Sequence, residues 1–126
     1  IIKKNHPEIF TKIIPGISSV SAAAALSNFN LAIKGETLII KECPSNKKEL
    51  VDLISINRGK KTVLVLMKVG KRWEWVKNLL KKEDIISKSV IALNVGMPDQ
   101  IVQEVSKFNL NKVPYFSLLL MRFDYD

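Results

Sequence analysis

The run Thr62–Met67 (Thr-Val-Leu-Val-Leu-Met) constrains this chain more than any other segment. It is nearly all apolar and rich in β-branched residues, with Gly59-Lys60-Lys61 before it and Lys68-Val69-Gly70 after it. A short apolar run without polar alternation predicts a central strand buried on both faces. Such a strand needs a layer of structure on each side of its sheet, so the rest of the chain must supply covering helices.

The flanking segments fit that requirement. Glu36–Glu42 reads as a strand stopped before Pro44. Asn46 with Glu49 three positions later predicts a capped helix start, Leu50, Leu53 and Ile54 give its apolar stripe, and Gly59 ends it. After Gly70, a helix over Arg72–Lys82 would turn Trp73, Val76, Leu79 and Leu80 inward. Trp75 lies two positions from Trp73 and cannot share its face, so one indole should pack and the other lie nearer the surface. Val90–Leu93 is a further strand, Met97-Pro98-Asp99-Gln100 a turn, and Ile101–Val105 an antiparallel return, because so short a connection excludes a crossover. Tyr115–Met121 closes the series. Upstream, Phe10–Ile14 is a short strand stopped by Pro15-Gly16, and Ser18, Ser19 and Ser21 precede the alanine run Ala22–Ala25. Serines ahead of alanines predict a capped helix start, and an alanine face predicts close packing. The fold class is α/β: a mixed sheet of about five or six strands flanked by helices, with an antiparallel hairpin at the end.

Self-contained catalytic patterns are lacking. His6 is the one histidine and has no metal-ligating or acid–base partner at a useful spacing. The serines sit in no nucleophile elbow. Lys68-Val69-Gly70-Lys71-Arg72 lacks the phosphate-loop pattern. The single Cys43 excludes an internal disulfide, fits a reducing cytoplasm, and reads as a packed thiol beside Pro44. No apolar run approaches the roughly 18 residues of a membrane span, and Ile1-Ile2-Lys3-Lys4 does not open a signal peptide. The net charge of +8 favours anionic partners, but the lysines come in scattered pairs such as Lys47-Lys48, Lys60-Lys61 and Lys81-Lys82. A basic nucleic-acid module is one reading of that charge. It is disfavoured because aromatic residues do not interleave with the basic ones on a strand. A non-catalytic dimerisation module is another.

What remains is a set of glycine-bearing strand-to-helix turns, the places where open α/β sheets bind ligands: Pro15-Gly16-Ile17-Ser18-Ser19, Met67-Lys68-Val69-Gly70 and Asn94-Val95-Gly96-Met97-Pro98. In that order they resemble the tetrapyrrole (corrin/porphyrin) methylase superfamily, whose second domain opens with a P-G-[VI]-[ST]-[SA] segment. Thr62–Met67 with Lys68-Val69-Gly70-Lys71, Asn94–Gln100 and Tyr115-Phe116-Ser117-Leu118-Leu119 resemble its precorrin-2 C(20)-methyltransferase branch. The resemblance runs along essentially the whole chain.

It implies two α/β domains with S-adenosylmethionine in the cleft between them, usually in a homodimer, and methyl transfer to carbon 20 of precorrin-2 or cobalt-precorrin-2 in the cytoplasm. It assigns Ser18, Ser19, Met67, Gly96 and, within Pro114–Ser117, Ser117 to the cofactor. Lys68, Lys71 and Arg72 become candidates for meeting substrate carboxylates, with a solvated helix start as the alternative. No catalytic side chain, protein-bound metal, nucleic acid or membrane is implied. The G-x-G-P-G-D and G-D-P motifs of the family's first domain are not in this sequence. Residues 1–14 therefore read as the tail of that domain and 15–126 as the carboxy-terminal domain, a piece expected to be inactive alone. Another substrate within the superfamily, such as a different precorrin, a diphthamide precursor or ribosomal RNA, stays open.

Overall fold

The computed structural model describes residues 19–27, 29 and 35–123. The expected strand Phe10–Ile14, the Pro15–Ser18 part of the first turn and His6 lie outside the described residues. A helix over residues 19–27 (α1) is followed by β1 (Thr37–Glu42), α2 (Lys47–Asn57) and β2 (Thr62–Met67). A 3-10 turn, Gly70–Arg72, runs into α3 (Trp73–Lys82), and β3 (Ser89–Leu93), β4 (Ile101–Glu104) and β5 (Ser117–Phe123) complete the order.

Local chemistry explains the boundaries. Asn46 keeps extended backbone and its side chain accepts a hydrogen bond from the Glu49 amide at 2.9 Å, capping α2. At the other end, the Arg58 amide donates to the Ile54 carbonyl and Gly59, at φ +82°, turns the chain toward β2. α3 buries Trp73, Val76, Leu79 and Leu80, while Trp75 is half-buried at the margin.

β1 and β2 run parallel in register, Thr37 opposite Thr62 and Glu42 opposite Met67, with α2 as the crossover a parallel pair requires. β3 and β4 form the expected antiparallel hairpin, and the Gln100 amide closes its turn on the Met97 carbonyl. The last strand enters the middle of the sheet. The order is β1-β2-β5-β3-β4, with β5 antiparallel to both neighbours. It also begins two residues later than its apolar run suggests. The Ser117 amide folds back on the Tyr115 carbonyl at 3.0 Å, which takes Tyr115 and Phe116 out of the ladder and leaves both exposed.

Period-two alternation sorts the strand side chains onto two faces. Leu64, Leu66, Ile91, Leu119 and Met121 join Leu50, Ile54 and Trp73 under α2 and α3. Val63, Val65, Val90, Ala92 and Leu120 meet Val20, Ala23 and Ala24 of α1. Ala23 and Ala24 of the alanine run are thus the residues α1 buries against the sheet, with Val20 beside them. Among the described residues no helix is long and apolar enough to cross a membrane.

Candidate functional site

The carboxyl ends of β2 and β3 point the same way, and the amino end of β5 lies between them. Three connections therefore converge at this edge of the sheet, and a cavity opens on each face of it.

On the α1 face the cavity has a volume of about 510 Å³. Met67, Val95, Met97, Phe116 and Leu118 form its apolar wall, while Ser19, Lys68 and Asn94 add polar groups at its rim. Met67 reaches it because position 67 shares the parity of Val63 and Val65, and Leu118 because it packs with the same cluster. The loop behind β3 is stiffened by its own hydrogen bonds. Asn94, at φ +50°, donates from its side-chain amide to Asp99 at 3.0 Å, and the Gly96 amide donates to the Gln100 side chain at 2.9 Å. Gly96 sits at φ +89° with open space where a Cβ would be. Its role is the left-handed turn that brings Val95 and Met97 to the cavity, and it does not itself line the wall.

On the α3 face a second cavity, of about 490 Å³, is lined by the backbone turn Lys68–Arg72 together with Val113 and Tyr115. Lys68, Lys71 and Arg72 all border it, and among the described residues no acidic one is part of its lining. Lys68 borders both cavities. Its Nζ stands 3.9 Å from a Glu42 carboxylate oxygen. Glu42 is largely exposed and Lys68 partly so, which makes this a weak pair.

The turn between the cavities is an unusual backbone. Lys68 lies at φ +56° and Gly70 at φ +49°, and a Cβ on Gly70 would stand 3.4 Å from the Tyr115 Cα. Ser117 holds this geometry. Its carbonyl accepts from the Val69 amide at 3.2 Å and its hydroxyl from the Gly70 amide at 3.0 Å. Ser117 is fully buried. It therefore lies beneath the edge of the site instead of in the cavity wall.

Of the residues singled out from the sequence, Ser19 and Met67 meet in the apolar cavity, and Lys68, Lys71 and Arg72 meet in the basic one. Gly96 and Ser117 support these walls from behind, and Ser18 lies outside the described residues. Sequence reasoning did not pick out Asn94, Met97 or Phe116 individually, although the segments holding them were flagged. Their signal is three-dimensional: Met97 and Phe116 are large apolar residues left 56% and 69% exposed beside a cavity. Cys43 is buried as expected, and burial pushes its thiol from the ordinary 9.0 up to about 11, with nearby Arg72 pulling weakly the other way. It stays protonated through neutral pH and offers no nucleophile.

Residues 1–110 match the sequence profile of the Tetrapyrrole (Corrin/Porphyrin) Methylases, which covers most of the chain. The chain belongs to the tetrapyrrole methylase family. Along 112 residues it is 28% identical to the cobalt-precorrin-2 C(20)-methyltransferase of Salmonella typhimurium strain LT2, a match spanning 87% of this chain and 46% of that protein. The X-ray structure of the cobalamin biosynthetic enzyme cobalt precorrin-4 methyltransferase aligns with a TM-score of 0.57 at 20% identity, over 86% of this chain and 50% of that one. That structural likeness carries the methylase fold. This methylase chain spans about half the length of each of these relatives.

Proposed function

We propose that this chain is the carboxy-terminal domain, residues 15–126, of an S-adenosylmethionine-dependent methyltransferase of cobalamin biosynthesis. Its acceptor would be carbon 20 of precorrin-2 or cobalt-precorrin-2. The observation that carries the cofactor reading is the apolar cavity on the α1 face. Ser19, Met67 and the Asn94–Met97 loop, drawn from three separate turns, converge on one space of about 510 Å³, a size ordinary for small-molecule sites. The 28% identity to a C(20)-methyltransferase supports the choice of acceptor.

The residues present fit such a cofactor. Met67, Val95 and Leu118 offer apolar surface to a flat base, and Ser19 and Asn94 place polar side chains at the rim. When bound, the cofactor supplies a methyl group already activated by a sulfonium. The chain's own part is then to orient the reactants and keep water away, for which apolar walls and a stiffened loop are suited. No nucleophile or acid–base pair is required of the protein. As a whole the enzyme is read as a cytoplasmic homodimer, with this chain forming one wall of the cleft.

Isothermal calorimetry with S-adenosylhomocysteine tests the reading. This chain alone is expected to bind weakly, and a polypeptide that joins it to its companion half tightly. Absence of binding by the longer polypeptide would overturn the cofactor assignment. Tight binding by this chain alone would show that the companion half is not needed for the cleft. Methylation of precorrin-2 by the longer polypeptide, with the new methyl located by NMR, tests the acceptor. A methyl on another carbon would remove C20 and keep the cofactor.

A further inference from the structure

The ridge between the two cavities has a makeup that neither cavity needs by itself. Tyr115 and Phe116 are consecutive yet border opposite cavities, Tyr115 the basic one and Phe116 the apolar one. Their rings pack edge to face, with centroids 4.9 Å apart at 74°. They remain 58% and 69% exposed. Lys68 completes the ridge and borders both sides. Exposed aromatic rings held together in one orientation offer apolar surface to a flat ligand. The cavity on the Tyr115 side offers Lys71 and Arg72, with Lys68 weakly paired to Glu42, and among the described residues its lining holds no carboxylate; a guanidinium fork beside ammonium groups matches carboxylates.

We propose that the Lys68–Tyr115–Phe116 ridge is the seat of a planar polycarboxylate, with its ring system against the aromatic pair and a peripheral carboxylate in the basic cavity between Lys71 and Arg72. The inference rests on the methyltransferase reading for its substrate class, and it adds where and how this chain holds the acceptor. A macrocycle seated so lies with one edge anchored on the α3 face and the other over the mouth of the α1-face cavity. Lys68 is the residue through which the two sites touch. Its left-handed backbone is maintained on the following two residues by the Val69 and Gly70 amides bonding to Ser117. Strain retained by several surrounding contacts is a common mark of a ligand-facing residue.

The probe is uroporphyrin III, a planar macrocycle with carboxylate side chains, titrated into the 126-residue chain and read by its fluorescence anisotropy. Saturable binding is expected, weakened at least tenfold in the double variant Lys71→Gln/Arg72→Gln. The double variant Lys81→Gln/Lys82→Gln removes the same charge from the far end of α3 and is expected to stay within twofold of the parent. Phe116→Ala should cost several-fold without changing the salt dependence. Equal losses in the two double variants would reduce the effect to net charge and overturn the seat, as would full affinity in Lys71→Gln/Arg72→Gln. Thermal melts of each variant separate lost binding from lost folding, and Lys71→Gln alone, at an exposed position, serves if the double variant melts early. Calorimetry with S-adenosylhomocysteine is run on the same samples and on the longer polypeptide. Failure there with the porphyrin results as expected removes the cofactor reading and leaves the seat. The reverse pattern removes the seat and leaves the cofactor.

Discussion

The two faces of the sheet are packed with different materials. Under α2 and α3 the strands present Leu64, Leu66, Leu119 and Met121 to Trp73 and Ile54. Under α1 they present Val63, Val65 and Ala92 to Ala23 and Ala24. Large side chains continue to the carboxyl edge on the first face, where Trp73 packs edge-on against Phe108 with centroids 5.8 Å apart. The recess left there is made by the turn Lys68–Arg72 and is basic. On the second face smaller side chains pack on Ala23 and Ala24, and past their end Met67, Val95 and Leu118 line the apolar cavity. The first face ends in a basic recess framed by large side chains, the second in an apolar cavity beyond smaller ones.

The largest expected effect tests the first half of that contrast. Trp73 is 1% exposed and its indole N–H donates to the Leu110 carbonyl at 3.2 Å. Trp73→Ala should destabilise the chain by about 3–5 kcal/mol, measured by urea unfolding. A loss below about 1 kcal/mol, the scale of an ordinary surface change, would mean that the α3 face is not the main store of stability.

A smaller loss with a different signature is expected on the α1 face. Ala92 is fully buried, paired with Leu118 across the β3–β5 ladder. Ala92→Leu overfills this close-packed layer, at a cost of about 1–3 kcal/mol, and pushes Leu118 or α1 toward the cavity. The variant should therefore lose affinity for S-adenosylhomocysteine in the longer polypeptide out of proportion to its melting temperature. Unchanged affinity would separate the packing of this face from the cavity at its end and break the comparison.

How much of this was legible in the sequence varies with the range of the interaction. β2 was readable to the residue, and the cap of α2 by Asn46 with its apolar stripe followed from neighbours within a few positions. The inward face of α3 followed from helical spacing alone. The position of β5 was not readable. A continuous apolar run says that both faces are covered, but not which strands lie on either side. The site divided along the same line. Ser19, Met67 and the Asn94–Met97 loop, which line the α1-face cavity, belong to turns that turn chemistry and family resemblance had singled out. The ridge of Tyr115 and Phe116 depends on the strand starting only at Ser117, which is set by a turn closed on the backbone and by a partner 47 positions away.

That long-range contact supplies the smallest and most discriminating test. Ser117→Ala removes the acceptor of the buried Gly70 amide, which leaves a donor unsatisfied at a cost of about 1–2 kcal/mol. Ser117 also accepts from Val69 through its carbonyl, and this bond survives the change. The global loss should accordingly be modest and the local one large. Hydrogen exchange read by NMR should show the Gly70 amide at least tenfold faster relative to the amides of β2, while Val69 stays protected. Because the turn carries Lys68 on both cavities, uroporphyrin and S-adenosylhomocysteine binding should weaken together in the longer polypeptide. If only one weakens, the turn is not shared in the way the two faces suggest. If Gly70 stays protected, the left-handed backbone at Lys68 and Gly70 is held by the carbonyl bond and the packing of Tyr115, and the hydroxyl is incidental.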